Sequence, residues 1–371
     1  MRRFVFAIVF CLLICRGGYA AYNTEGEEML SAKVDSLESR LAKMERRATI
    51  RERLREHLKI SGFLQVGYYL DISDGGVEES YFCLRRARLS FAGKIFERER
   101  VGKADYRLQV DFAESPKIVD MWLRYRPFNA LGIQVGQFKI PLSIENSEYS
   151  PTKLEFIDYS LVVQRLVRMS SNDVTGISST GRDCGAQLFG GIFKREGYNI
   201  ISYNLAVFNG CGINLKKDNN KSKDFVGRVM VNPLKEITLA GYYQYGEGNF
   251  DEVQNVRYQR YGGGVAYEGR HAFARAEYIG GVTGSLSSEG AYASAGWKFS
   301  TPKAGCGAIG VRFDYFDGDT HTSECEFNYT AGLLYQPCRY LRLQLNYTIK
   351  QFHHYNRPLT HGLSLMATGI F

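Results

Sequence analysis

The chain has 371 residues, 44% hydrophobic and 13% aromatic, with 25 Tyr, 23 Phe, 39 Gly and only 8 Pro, and its formal charge is +8. Without the three arginines of the first twenty residues, 44 basic face 39 acidic side chains, and this excess of +5 is too small to argue for a nucleic-acid partner. After residue 20 no run approaches the roughly 18 to 20 apolar residues of a membrane-spanning helix, so the mature chain is soluble or crosses a bilayer by other means.

The first twenty residues read as an export signal. Arg2 and Arg3 form a positive start, Phe4 to Cys15 is unbroken apolar sequence, and Gly18-Tyr19-Ala20 supplies small residues for cleavage after Ala20. A lipoprotein signal at Leu12-Leu13-Ile14-Cys15 fits less well, because Ile14 is large and Arg16 follows at once. Export leaves six scattered cysteines, Cys83, Cys184, Cys211, Cys306, Cys325 and Cys338, without a Cys-x-x-Cys pair for zinc or redox work. They read as packed small hydrophobes, although an oxidising periplasm permits disulfides.

Residues 26–59 form the one strongly helical region. Leu30, Val34, Leu37, Leu41, Met44 and Ala48 recur at alternating spacings of four and three, the seam of a short periplasmic coiled coil through which the chain could self-associate; an amphipathic helix resting on the barrel, or a mostly disordered segment, is the alternative.

From residue 60 to 371 the period changes to two. Ala104, Tyr106, Leu108, Val110 and Phe112 alternate with Lys103, Asp105, Arg107, Gln109 and Asp111, and Leu341, Leu343, Leu345, Tyr347 and Ile349 alternate with Arg342, Gln344, Asn346, Thr348 and Lys350. A soluble sandwich also alternates, but segments of about ten residues or more exceed the five or six usual there and match a tilted bilayer crossing. Such segments lie near 60–70, 82–95, 102–114, 117–126, 130–139, 182–194, 198–209, 222–232, 235–246, 257–268, 270–281, 288–300, 304–316, 325–336, 338–350 and 359–371, sixteen in all. Tight connections at Pro127-Phe128-Asn129, Asn232-Pro233-Leu234, Thr301-Pro302-Lys303 and Gln336-Pro337 follow even-numbered segments. Longer polar links follow odd ones, at Asp71 to Tyr81, Gly210 to Lys221 and Glu247 to Val256. This predicts an all-β fold, a transmembrane antiparallel barrel of about sixteen strands in the bacterial outer membrane, with its long loops outside and its apolar faces on lipid.

About forty residues, 140–181, join the fifth and sixth segments as the third external loop. Leu154, Phe156, Ile157, Leu161, Val162, Val163, Leu166 and Val167 are too apolar to be left in water, so the loop is expected to fold inward and narrow the channel. At the far end Leu363, Leu365, Ala367, Gly369 and Phe371 share one face, and a terminal aromatic on an alternating strand resembles the signal read by the barrel-insertion machinery.

Strand parity selects the lumen charges. With Ala87, Leu89 and Phe91 facing lipid, Arg86, Arg88 and Lys94 point inward, and the same rule assigns Lys103, Arg107, Arg124 and Arg126 to the lumen. Lys139, Arg165 and Arg168 join them if the third loop folds inward. Strands about 4.8 Å apart and alternate residues nearly 7 Å apart make a strip along which a phosphate can exchange guanidinium groups. Asp105, Asp111 and Asp120 share these faces and either weaken binding enough for release or cancel the strip.

Three segments carry a family resemblance: Leu84-Arg85-Arg86-Ala87-Arg88-Leu89-Ser90-Phe91-Ala92-Gly93-Lys94, Tyr106-Arg107-Leu108-Gln109-Val110-Asp111-Phe112-Ala113 and Val135-Gly136-Gln137-Phe138-Lys139-Ile140-Pro141-Leu142-Ser143. They look like the phosphate-selective porin O and P family, over residue 60 to the end. The resemblance implies a homotrimeric outer-membrane channel for phosphate or polyphosphate, with a basic pore, a helical segment ahead of the barrel and no cofactor. A general non-selective porin and a plugged structural or adhesive barrel stay open as alternatives. Gly262-Gly263-Gly264 lies within a strand segment and lacks the helix and Gly-Lys-Ser/Thr of a phosphate-binding loop, Asp317-Gly318-Asp319 reads as a turn, and His353-His354 as loop. No Ser-His-Asp or paired-carboxylate arrangement stands out to support an enzyme, leaving an outer-membrane hydrolase as a minor alternative.

Overall fold

The computed structural model describes residues 31–44 and 57–371, except 251–252, 302–304, 323 and 355–356. The proposed signal, residues 1–20, and the ends of the N-terminal helical region, 26–30 and 45–56, lie outside the described residues. Residues 31–44 form helix α1, whose seam residues Val34, Leu37, Leu41 and Met44 are all exposed. The chain divides into residues 1–56 and a second unit, 57–371.

The second unit is a closed antiparallel barrel of sixteen strands in which β1 pairs with both β2 and β16. In chain order the strands are β1 (Lys59–Ser73), β2 (Gly76–Arg98), β3 (Gly102–Asp111), β4 (Lys117–Phe128), β5 (Leu131–Lys139), β6 (Arg182–Arg195), β7 (Tyr198–Phe208), β8 (Asp224–Leu234), β9 (Ile237–Phe250), β10 (Val253–Glu268), β11 (Ala272–Thr283), β12 (Leu286–Thr301), β13 (Gly305–Asp317), β14 (Cys325–Cys338), β15 (Leu341–His353) and β16 (Thr360–Ile370). Each of the sixteen expected segments has its counterpart in one strand, although the fifteenth, 338–350, also takes in Cys338, the last residue of β14. Lys59, placed at the end of the helical region by sequence, opens β1. Phe371 extends the closing pair, exchanging backbone hydrogen bonds with Gly62 at 2.9 and 3.0 Å.

Burial runs opposite to that of a water-soluble protein. Gln65, Gln109, Asp111, Gln134, Arg228, Gln244 and Arg312 are buried, whereas Leu64, Leu123, Val135, Leu205, Val229, Val311 and Leu333 are exposed. In a bilayer this is the stable arrangement, since closure leaves no unpaired strand edge and the apolar face meets lipid. At the end with the short turns, Tyr125, Phe128, Tyr267, Trp297, Tyr335 and Tyr340 are exposed, as an interfacial aromatic girdle requires.

Two of the expected external loops are strand instead. β1 and β2 pair up to Ser73 and Gly76, so the segment Asp71 to Tyr81 is the top of a tall hairpin, and β9 and β10 likewise run on to Phe250 and Val253. Both faces meet water at the top of β2, where Gly76 to Ser80 are all exposed, so the one-sided alternation that marks a membrane strand is missing there; on β9 Gly248 and Phe250 stay buried on one face. The link around Gly210 to Lys221 is a loop, between Phe208 and Asp224.

The third external loop fills residues 140–181 between β5 and β6 and contains two short helices, α2 (Ile144–Glu148) and α3 (Leu161–Leu166). It folds into the lumen. The eight apolar side chains singled out by sequence are each no more than 7% exposed. Six of them, Leu154, Leu161, Val162, Val163, Leu166 and Val167, pack with inward-facing Phe138, Phe208, Tyr242, Ile279, Tyr292 and Phe316 of the wall. The apolar core therefore lies inside the barrel. Glycine makes room for it: a Cβ at Gly332 of β14 would stand 2.9 Å from the Phe156 ring.

Candidate functional site

The loop is tied to the far wall, β10 to β15, by buried polar groups. The Glu277 carboxylate on β11 accepts from Ser143 Oγ at 3.0 Å, Ile144 N at 2.7 Å and Glu145 N at 2.9 Å, and from the hydroxyls of Tyr242 and Tyr292 at 3.0 and 2.8 Å. Five donors compensate a buried carboxylate. Asp314 on β13 accepts from Leu161 N at 2.9 Å, and its neighbour Arg312 donates to the Asp158 carbonyl at 2.7 Å. On β15, Arg342 donates to the carbonyls of Thr152 and Leu154, while Arg275 on β11 pairs with Glu155. Within the loop, Glu145 accepts from both Ser160 N and Ser160 Oγ at 2.7 Å. Burial pushes its carboxyl up to about 7, although Arg312 and the Ser160 hydrogen bonds act the other way.

With the loop held there, open space remains along the near wall, β1 to β8. A chamber of about 470 Å³ lies between that wall and residues 147–153 of the loop. Seven of its lining residues are basic, Arg88, Arg107, Arg124, Lys139, Lys153, Arg182 and Arg228, against two acids, Asp120 and Glu148. A second polar chamber of about 650 Å³ lies toward the external end and is differently charged. Its four basic residues, Arg165, Arg312, Lys350 and Arg357, face five acids, Asp71, Glu78, Glu79, Asp158 and Glu326.

The ten residues expected from sequence are distributed as follows. Arg86 donates to Gln65 Oε1 at 2.9 Å and has no ion pair among the described residues. Arg88 is buried against Asp111 at 2.8 Å. Arg107 approaches Asp120 at 3.5 Å, and Arg124 holds Asp105 with two hydrogen bonds of 2.8 Å. Arg126 lies over the Phe189 ring, 5.0 Å from its centroid. Lys94 and Lys103 are partly exposed and paired with Glu97 at 2.5 Å and Asp105 at 3.9 Å. Lys139 lines the inner chamber while its ammonium donates to the Asn146 and Tyr149 carbonyls, so it also fastens the root of the loop. Arg165 lines the outer chamber, bound to Glu326 at 3.2 Å. Arg168 is only 3% exposed and its guanidinium is held by Asp183 at 3.0 Å, Asp224 at 3.4 Å and the Tyr258 hydroxyl. It reaches neither chamber and instead locks the base of the loop.

Sequence reasoning missed Arg85, Arg182 and Arg228. Arg228 obeys the parity rule, between outward Phe225, Val229 and Val231, and donates to Glu148 at 2.7 Å and Asn204 at 3.0 Å. Arg85 breaks that rule. The register of β1 against β2 shifts between Gln65 and Val66, leaving Arg85 as an extra residue, and the bulge turns its side chain inward to Asp158 beside Arg86. The signal was present: Leu84 and Ala87, apolar and three apart, share an outward face only across a bulge.

The sequence pattern of the phosphate-selective porin O and P family matches residues 58–367. No curated protein sequence matches the chain significantly. Among solved structures, the barrel is similar to an anion-selective porin from Comamonas acidovorans, with a TM-score of 0.63 at 10% identity over 85% of this chain and 99% of that one. It is also similar to OprB of Pseudomonas putida, with a TM-score of 0.60 at 10% identity over 87% and 96% of the two chains. The trimer form of OmpT of Vibrio cholerae gives a TM-score of 0.60 at 9% identity, over 85% of this chain and all of that one (100%). At such identities the likeness concerns the fold. A match across nearly the whole barrel, on a closed sixteen-stranded wall with an inward third loop, places this chain in the phosphate-selective porin O and P family of the outer membrane.

Proposed function

We propose that this outer-membrane porin passes small anions, phosphate or polyphosphate among them, along the near wall. One observation carries the reading: the inner chamber sets seven basic side chains against two acids. A ring or strip of guanidinium and ammonium groups lowers the electrostatic barrier for anions and raises it for cations. Arg86 and Arg126 lie outside the chamber lining but add positive charge to the same wall, and neither is neutralised by an ion pair among the described residues. A general, weakly selective porin is the second reading, favoured by the pairing of Asp105, Asp111 and Asp120 with Arg124, Arg88 and Arg182. The trimer form recorded for OmpT and the exposed seam of α1 support a homotrimer here, and residues 1–20 and Phe371 support export and delivery to the barrel-insertion machinery.

Reversal potentials across a planar bilayer with a potassium chloride gradient test the reading. An anion-to-cation permeability ratio above one is expected, and replacing Arg86, Arg88 and Arg107 together with Gln lowers it and weakens block of the chloride current by phosphate. A ratio that stays put in the triple variant favours the general porin.

A further inference from the structure

Besides Phe138 and Phe208, which pack under the loop, three inward positions of the near wall carry aromatic rings where strand parity calls for polar side chains. Phe63 on β1 stands opposite Arg88, Trp122 on β4 opposite Arg107, and Phe189 on β6 opposite Gly132. Each ring lies beside a guanidinium: Arg88 is 5.8 Å from the Phe63 centroid, Arg124 4.8 Å from Trp122, and Arg126 5.0 Å from Phe189. Phe63 and Trp122 line the inner chamber together with Arg88, Arg107 and Arg124.

Passage of a fully hydrated inorganic ion calls for donors and water, and an apolar ring at the wall adds nothing to it. A ring under a guanidinium does two other things. It holds the cation in a fixed plane, and it offers an apolar face on which a flat ligand stacks. Arg107, whose side chain is 38% exposed with Asp120 3.5 Å from its Nε, presents a partly open guanidinium to the chamber.

We propose that the inner chamber takes aryl anions, a single aromatic ring bearing a carboxylate or phosphate, with the charged end at Arg107 and Arg124 and the ring against Trp122. This rests on the anion-channel reading above and narrows its substrate class. About 470 Å³ accommodates one such ring with water around the charged end.

Single-channel chloride current tests it, with phenyl phosphate compared with inorganic phosphate and benzoate with acetate as blockers. The aryl member of each pair is expected to half-block at a roughly 3- to 10-fold lower concentration, the effect of one stacked ring. Trp122→Leu brings that ratio close to one while the chloride-to-potassium reversal potential stays put. Trp122 also packs against the loop's apolar cluster. If Trp122→Leu gives no channels, Trp122→Met, which fills more of the space against that cluster without an aromatic face, carries the comparison and must lower the ratio. Equal block by aryl and non-aryl anions in the unaltered protein, or a ratio that survives these substitutions, overturns the proposal. An unaltered channel without preference for chloride over potassium overturns the anion-channel reading instead, and the reversal potential, measured without any aryl anion, separates the two failures.

Discussion

Arg85 on β2 and Asp158 in the third loop are ion-paired across the lumen, and the β2 bulge is what brings Arg85 to the inner face. It joins the loop to β2, as Glu148–Arg228 joins it to β8, and its carboxylate end lines the outer chamber.

Asp158→Asn leaves Arg85 facing a partly buried site without its carboxylate. The pair is neither fully buried nor exposed, at 18% and 34% side-chain exposure, so a loss of about 2 kcal/mol is expected, between the values for surface and buried pairs. Urea unfolding of the barrel in lipid measures it. The double variant Arg85→Met with Asp158→Asn should recover most of the loss, because neither charge is then stranded.

Removing the Arg168 guanidinium has a different signature. Arg168→Met strands Asp183 and Asp224, both fully buried, and costs about 4 kcal/mol. The anion-to-cation permeability ratio of the channels that do form should not move, since Arg168 reaches neither chamber. A falling ratio at unchanged stability would contradict the placement of this side chain.

Glu145 makes the loop sensitive to pH. Its carboxyl, ordinarily near 4.5, is pushed up to about 7 by burial, so between those values the folded chain keeps a proton that the unfolded chain gives up. Stability from this group therefore falls as pH rises from about 4.5 to about 7. In Glu145→Gln, which retains an acceptor for Ser160, the drop in melting temperature between pH 5 and pH 8 should shrink. An identical drop in both proteins excludes Glu145 as its source.

A side chain at Gly332 competes with the loop for space. Gly332→Val puts its branch where the Phe156 ring lies, 2.9 Å from the Cβ position, and displaces the middle of the loop from β14. Larger and noisier single-channel conductance is the expected outcome, with barrel formation intact by heat-modified gel mobility.

The barrel was legible because lipid on one side and water on the other impose a period of two on every crossing strand. The inward loop was legible for a related reason: eight apolar side chains in forty residues have nowhere else to go. Reading failed where the two-sided constraint lapses. Glu78, Glu79 and Ser80 stand in a hairpin with water on both faces, and Arg85 sits on a bulge that resets parity by one residue. The sorting of basic residues was also hidden. Arg86 and Arg168 look alike in sequence, and only Asp183, Asp224 and Tyr258, brought to the loop from three strands, make one of them a fastener.

The anchors of the third loop also set an order of events. Loop residues hydrogen-bond to partners 132 to 190 positions further along the chain, at Glu277, Asp314 and Arg342. Such high contact order makes docking a late step, after most of the wall has come into register. Until β11 arrives, the backbone donors at the start of α2 and the apolar run from Leu154 to Val167 have no cover, and a chain stalled there offers a forty-residue target to periplasmic proteases. Completion of the last strands and narrowing of the channel are thus one event. An unfinished barrel therefore carries an undocked, accessible loop in place of a narrowed pore.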